Sequence, residues 1–517
     1  MERLLGMSDP NSKGGRRGGH SAGGHGGFTA SQVAVAGVAA GFVIYLLSGG
    51  FARVAVAVSG GGNGGDQALL AASVDNLAAQ VNKLVEEQRR GFADIRAQLQ
   101  SQSMGGGGTS PGETLLGGKT AAAAAASALA SGGGHKRKPG IHVVVTSNGN
   151  RYMNWQTRVL YANFKKVAAA QSAQSLDDGA EGAQLRGFTR VLHRTSDDEL
   201  MKEVPTQRFY PLQPDCDVWC QYPVADRSKA LLEWLDTPDS KRYEHVMIIE
   251  TDYVFIAQPK LAPPLLPAPG HALSFPFGYI VPTWPARLNI IKRYYPGGKP
   301  SDIPQTGNAP VLMRFADFAK VCPKWVALTA QLEKDGEAKE AFGWVREMYA
   351  YSIAAALAGV KHATPGPPIS PLMVQPPADD NAGKACIAHY TWGAIFHEDN
   401  SDGKVVWRWD KREYAAGQYG DKCARLEKIK PMPPWRENLV LQDNVPVSRG
   451  KYDLLALLVE KFNEAVEDVN SVNGGVPAGL SSWEEADALS QPSQESVKAR
   501  AEVERRERDE GKKQQQQ

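Results

Sequence analysis

The sequence predicts an α/β fold with a mostly parallel, Rossmann-type sheet flanked by helices. Two observations carry that reading. Strand-length apolar runs alternate with helix-length stretches from residue 141 onward. One of the runs, residues 246–250, is Val-Met-Ile-Ile closed by an acid. Strands buried on both faces look like this when their carboxyl ends deliver polar groups to a loop.

In chain order, residues 142–146 are a β-branched run ending in Ser147-Asn148-Gly149, a strand and then a turn. Residues 155–167 read as a helix, 187–193 as a short strand, 225–235 as a helix and 246–250 as the acidic-ended strand. Residues 259–310 are Pro-rich and irregular, whereas 339–357 and 451–469 each read as one helix. From Asn470 the chain is polar and charged, a disordered tail or a solvated helix.

The 517 residues leave room for two to four domains at roughly 100–200 residues each. Lys and Arg total 58 and Asp and Glu 56, a net charge of +2. That balance exerts no long-range pull on nucleic acid, so no nucleic-acid partner is expected. Five Cys are too few for a disulfide-built mini-protein. Cys216 and Cys220 can pair locally, or Cys322, Cys386 and Cys423 can pair at long range, or the thiols stay buried and free; spacing does not choose. No Asn-X-Ser/Thr glycosylation acceptor occurs.

A single apolar stretch, 28–47, approaches spanning length, which excludes a polytopic membrane protein. No Lys, Arg, Asp or Glu occurs between Arg17 and Arg53. Arg3, Lys13, Arg16 and Arg17 precede the stretch, so the positive-inside rule puts the N-terminus in the cytosol and the rest across the membrane. A cleaved signal peptide with Ala55-Val56-Ala57 as a poor cleavage site is one alternative, and a buried helix is the other. The expected organisation is a cytosolic disordered tail over 1–27, a transmembrane signal anchor over 28–48, a stem over 49–140, a globular domain over 141–469 and a polar charged tail over 470–517. Within the stem, Leu70, Val74, Leu77, Val81 and Leu84 recur at alternating four- and three-residue steps. They predict an amphipathic helix over about 66–103, a seam for a homo-oligomer. A Gly/Ala-rich linker, 104–140, follows.

The chemistry concentrates at Glu250-Thr251-Asp252. Two carboxylates one residue apart, leaving a buried strand, suit a divalent cation that bridges the phosphates of a nucleotide, because such a cation needs hard oxygen ligands on a rigid edge. Far downstream, His389 in an apolar run adds an imidazole, a good third ligand for Mn²⁺. Arg190 on a strand, and Arg227 and Lys229 opening a helix, are candidates to hold a diphosphate.

With these residues in view, 141–469 resembles the plant and green-algal hydroxyproline O-arabinosyltransferases. The matching blocks include Gly187-Phe188-Thr189-Arg190, Glu250-Thr251-Asp252, Phe275-Pro276-Phe277 with Tyr279-Ile280, and Gly307-Asn308 with Pro310. They continue through Phe342-Gly343-Trp344-Val345 with Glu347, His389-Tyr390-Thr391, and Trp407-Arg408 with Asp410-Lys411-Arg412. Two blocks depart. The family has Glu-Pro-Asp at 250–252, and Asn-Arg-Pro-Trp where this chain has Asp226-Arg227-Ser228-Lys229. An extra acid and base there would bear on donor choice.

The resemblance implies a GT-A catalytic domain, luminal in a single-pass type II Golgi membrane protein. It implies retaining transfer of L-arabinofuranose from UDP-β-L-arabinofuranose to the 4-hydroxyl of hydroxyproline in extensin-like cell-wall glycoproteins. In that reading Asp252, His389 and Glu250 hold Mn²⁺ or another divalent cation. Thr146, Trp155, Arg190, Arg227, Lys229 and Glu250 bind the UDP-sugar donor. Trp344 and Tyr279 bind the acceptor, and Glu347 and Asn308 are catalytic. Glu347 is either a nucleophile or a hydrogen-bond anchor. A peptidyl-serine α-galactosyltransferase using UDP-galactose is the near rival, and an inactive Golgi-anchored scaffold or lectin the distant one.

Overall fold

The computed structural model describes residues 137–178, 185–261, 265–399, 403–418, 422–442 and 444–515. The signal anchor over 28–48 and the stem helix over about 66–103 lie outside the described residues. Among the described residues, no helix is long and apolar enough to cross a membrane.

The main sheet has seven strands. They are β1 (Lys138–Ser147), β2 (Leu185–His193), β3 (Thr206–Phe209), β4 (Tyr243–Ile249), β6 (His271–Ser274), β7 (Val311–Arg314) and β8 (Lys361–Ala363), while β5 (Tyr253–Phe255) lies in a separate small sheet. The order is β3-β2-β1-β4-β7-β6-β8. Strands β3, β2, β1 and β4 run parallel, and β7 lies antiparallel between β4 and β6. The sheet is thus mostly parallel, with one reversed strand. In β1 everything from Gly140 to Ser147 is buried, and β4 is buried from His245 to Ile249. Such strands are covered on both faces, which is why they read as continuous apolar runs.

Helix α1 (Arg151–Asp178) leaves the turn after β1. Helices α2 (Asp226–Leu235), α4 (Phe315–Leu332) and α6 (Arg346–Leu357) pack on one another and contribute to the sheet core, while α3 (Leu288–Tyr294) and α5 (Gly336–Phe342) are short. A second core surrounds Trp155, Tyr390, Trp409 and Phe462. It joins α1 and α8 (Arg449–Ser471) to two small sheets. One is β5 with β9 (Met373–Val374) and β10 (Ile387–His389). The other is β11 (Gly393–Glu398) with β12 (Val405–Asp410) and β13 (Leu439–Leu441). Helix α7 (Lys411–Gln418) follows β12 directly.

Two expectations change. The single helix read over 339–357 is broken into α5 and α6 at Gly343, whose φ of 54° lies in the left-handed region that only glycine adopts cheaply. The segment after Asn470 is ordered and docked, with α9 (Trp483–Ser490) and α10 (Gln494–Gln515). Buried Arg194 donates to the carbonyls of Ser490 and Gln491. Thr195 Oγ1, Ser496 Oγ and Asp217 form a closed hydrogen-bonded group. Local composition predicts a solvated tail because its anchoring contacts are polar and come from residues 279 and 301 positions away. Removing 473–517 should therefore lower the melting temperature by several degrees, because Arg194 and Asp217 lose buried partners. A chain beginning at Lys136 should keep wild-type melting, since it retains every described contact. Equal melting of the C-terminal truncation would refute the docking role.

Among the cysteines, Cys216 and Cys220 form a disulfide, and Cys322, Cys386 and Cys423 are buried free thiols.

Candidate active site

The carboxyl ends of β1 and β4 are level, because Val145 pairs with Ile249. Buried Thr146, one residue before the end of β1, therefore comes next in register, level with Glu250. Past Glu250 the chain turns into β5, which pairs antiparallel with β10, setting Tyr253 opposite His389. The Asp252 carbonyl accepts from Tyr390 N–H at 3.3 Å. Asp252 and His389 thus meet through this small antiparallel pairing and not through the main parallel sheet. His389 Nε2 lies 3.1 Å from Asp252 Oδ2, and ligand atoms of Glu250, Asp252 and His389 all fall within 4.8 Å of one another. Two carboxylates and an imidazole make a donor set that fits Mn²⁺ or a similar divalent cation. Thr251, where the family has proline, turns inward and donates its hydroxyl to Gln156 Oε1 at 2.9 Å. That bond fixes the tripeptide on α1.

Two cations flank the cluster. Arg227 Nη1 is 2.9 Å from Glu250 Oε1 and 3.8 Å from Glu347 Oε2. Lys411 Nζ sits on Asp252 Oδ2, the oxygen that His389 also faces. Burial alone would raise the Asp252 carboxyl, but Lys411 and His389 outweigh it and hold its pKa far below the usual carboxylate range. Burial works against the Lys411 ammonium, and Asp252 restores it, so Lys411 is charged. Glu347 behaves oppositely. Burial pushes its pKa up to about 7, with Arg227 opposing and Glu250 adding to the rise.

Glu347 and Asn308 are 2% and 1% exposed, and Glu347 Oε1 and Asn308 Nδ2 have no hydrogen-bond partner. Each such orphan costs about 1–3 kcal/mol unless a ligand satisfies it. Asn308 lies on a loop whose Gly307 presses against Met348, the residue after Glu347. A Cβ on Gly307 would come within 2.2 Å of Met348 Cε. Trp344 stands exposed on the Gly343 break. Tyr279 is partly exposed, and burial first, then the charges of Glu250 and Asp252, raises its phenol pKa. The structure therefore gathers Glu250, Asp252, His389, Arg227, Glu347 and Tyr279 into one neighbourhood, with Trp344 and Asn308 on segments adjoining Glu347 and Thr146 at the strand end.

Three expected donor residues fall elsewhere. Arg190 is fully buried and grips Asp198 with both terminal nitrogens, at 2.8 and 2.5 Å. It is a core ion pair, closed to a diphosphate. Trp155 is 2% exposed and is enclosed by Tyr390, Tyr414 and Phe462, so no ring face is open to a base. Lys229 turns to the Tyr210 carbonyl and to Glu233, each at 2.8 Å, along the outside of α2. Asp226 is buried, and its Oδ1 accepts from Leu212 N–H. Neither departure from the Asn-Arg-Pro-Trp block therefore adds a free charge to the site. Arg190→Met should destabilise the fold by about 3–5 kcal/mol, because it strands Asp198 in the interior. Denaturant melts check this; native stability with selective loss of donor binding would return Arg190 to the site.

Lys411 is the functional candidate that motif reading missed. Its signal was present in Asp410-Lys411-Arg412. Asp410 caps α7 by accepting from Arg412 N–H at 2.8 Å. Two cations then occupy a helix start, where the dipole disfavours them, so a nearby anion was called for.

Residues 141–364 match the hydroxyproline O-arabinosyltransferase family N-terminal domain. Hydroxyproline O-arabinosyltransferase PLENTY of Lotus japonicus is 36% identical over 282 residues, 53% of this chain and 72% of that protein. Hydroxyproline O-arabinosyltransferase 3 of Arabidopsis thaliana is 35% identical over 334 residues, 63% of this chain and 81% of that protein. Peptidyl serine alpha-galactosyltransferase of Arabidopsis thaliana is more distant, 25% identical over 354 residues, which cover 38% of that protein. With Glu250, Asp252, His389 and Glu347 standing inside the matched region or just beyond it, this chain belongs to the hydroxyproline O-arabinosyltransferase family.

Proposed function

We propose that this chain transfers L-arabinofuranose from UDP-β-L-arabinofuranose to the 4-hydroxyl of hydroxyproline in extensin-like proteins, with retention. The observation that carries the reading is the Glu250–Asp252–His389 cluster at the sheet's carboxyl edge, flanked by Arg227 and Lys411. In the reaction the bond from the anomeric carbon to UDP breaks and the hydroxyproline oxygen takes its place. The hydroxyl proton leaves to the departing diphosphate or to a carboxylate. Asp252 and His389, with Glu250, would hold Mn²⁺, which offsets charge on the UDP leaving group. Lys411 and Arg227 add fixed positive charge beside it. Glu347 and Asn308, each with an unsatisfied buried atom, suit the sugar and the incoming hydroxyl.

The deciding experiment is UDP release with Mn²⁺ from UDP-arabinofuranose or UDP-galactose, with and without a hydroxyproline peptide. Peptide-dependent release from UDP-arabinofuranose is expected. Turnover confined to UDP-galactose and a serine peptide would make the chain a galactosyltransferase, and no turnover with either would favour a scaffold or lectin. The reading also places the chain in the Golgi membrane through residues 28–48, with the catalytic domain luminal. The Cys216–Cys220 disulfide supports an oxidising compartment. Protease added to sealed microsomes should spare everything after Ile141; digestion without detergent would reverse the topology.

A further inference from the structure

The first turn of α6 leaves N–H groups that the helix cannot satisfy itself, and the single turn Gly343–Val345 before it presents the Trp344 carbonyl beside them. Both find the same side chain. The Tyr222 hydroxyl donates to the Trp344 carbonyl at 2.8 Å and accepts from Glu347 N–H at 3.1 Å. Tyr222 is 4% exposed. Its ring is held by the Arg346 guanidinium, 3.3 Å from the ring centre, and meets Trp344 edge-on at 5.2 Å. The loop behind it is braced. The Cys216–Cys220 disulfide closes it two residues before Tyr222. Asp217 is tied to Thr195 and Ser496, and Arg500 covers Trp219 at 4.6 Å. Four residues after Tyr222, α2 starts and carries Arg227 to within 3.8 Å of Glu347 Oε2. One short segment therefore grips Glu347 by its backbone through Tyr222 and by its carboxylate through Arg227.

We propose that Tyr222 is a positioning residue for the transfer reaction, its hydroxyl fixing the first turn of α6 and with it the Glu347 carboxylate. This rests on the reading of Glu347 as a residue of the reacting centre. An error of about 1 Å in a reacting group costs on the order of 10²-fold, so a hydroxyl that only sets a helix turn has a kinetic consequence without touching substrate. In the proposed reading the metal and UDP fall to Glu250, Asp252, His389, Lys411 and Arg227, while the Tyr222 hydroxyl hydrogen-bonds only the Trp344 carbonyl and Glu347 N–H, so donor affinity is expected to hold.

The test is Tyr222→Phe in the full chain, which keeps the ring under Arg346 and beside Trp344 and deletes only the hydroxyl. Initial rates are measured against UDP-arabinofuranose and hydroxyproline peptide, at a temperature where circular dichroism shows wild type and variant equally folded. The expected result is kcat lowered about tenfold with KM for the UDP-sugar unchanged. A merely structural role would lower the active fraction only outside that temperature window, and unchanged kcat inside it overturns the proposal. So does a loss expressed in donor KM alone. Glu347→Gln is run alongside. If it turns over like wild type, the reading of Glu347 fails; if it is inactive while Tyr222→Phe is unimpaired, only the positioning role fails.

Discussion

Asp252→Asn is expected to lower transfer by on the order of 10²–10⁴-fold, the equivalent of about 3–6 kcal/mol of transition-state stabilisation at ~1.4 kcal/mol per decade. Asn keeps the volume and one oxygen but removes the charge on which His389 and Lys411 converge. Titration calorimetry with Mn²⁺ alone should show the loss of affinity independently of turnover. His389→Ala should lose less, because water can replace one neutral ligand, and added Mn²⁺ should partly restore it. From sequence neither residue belongs to a core, and folding is expected to be unchanged. The structure revises this for Asp252, which is 6% exposed and paired with a buried ammonium. Its substitution leaves Lys411 uncompensated and should also lower the melting temperature. Asp252→Asn combined with Lys411→Met should melt closer to wild type than Asp252→Asn alone, while Mn²⁺ affinity stays low. Near-wild-type turnover of Asp252→Asn, or unchanged Mn²⁺ affinity, would leave the metal site unsupported.

How much of this was legible depended on the range of the interaction. The sheet was readable because strands covered on both faces carry apolar runs, Val143–Val145 in β1 and Val246–Ile249 in β4. Glu250 and Asp252 were readable because acids ending such a strand are conspicuous. Arg190 was misread for the opposite reason. Its partner Asp198 is eight residues away, in a segment whose path into the interior no periodicity announces. Trp155 belongs to an aromatic core assembled from α1, Tyr390 just after β10, and α8, and an aromatic residue near a strand end looks the same whether it faces a base or a core. The broken helix at Gly343 hid behind an apolar pattern that continues across it, although the glycine itself was the clue. Tertiary contacts between residues 130–300 positions apart, such as Lys411 with Asp252 and Ser496 with Asp217, leave no local trace.

Lys411→Met separates the two cationic jobs at the site, since Met preserves the unbranched stem and deletes only the ammonium. Lys411 is buried with its Nζ 5.6 Å from the Trp392 ring and on the Asp252 carboxylate. Holding a charge there is costly, since desolvation opposes it, and Asp252, with Tyr152 and Glu250 behind it, makes it tolerable. If Lys411 served only to neutralise Asp252, then in the presence of Mn²⁺ it would be a competitor, and its removal would raise both Mn²⁺ affinity and turnover. If instead it stabilises charge that grows on the departing diphosphate, its removal raises Mn²⁺ affinity, because Asp252 is relieved of a rival cation, yet lowers turnover. A preorganised donor aimed at developing charge contributes roughly 10²–10³-fold, so kcat should fall by about that factor while, with Mn²⁺ present to compensate Asp252, the melting temperature holds to within a few degrees. The opposite movement of metal affinity and kcat is the distinguishing result. Parallel gains in both would make Lys411 a stand-in for the cation, and parallel losses would make it a structural partner of Asp252.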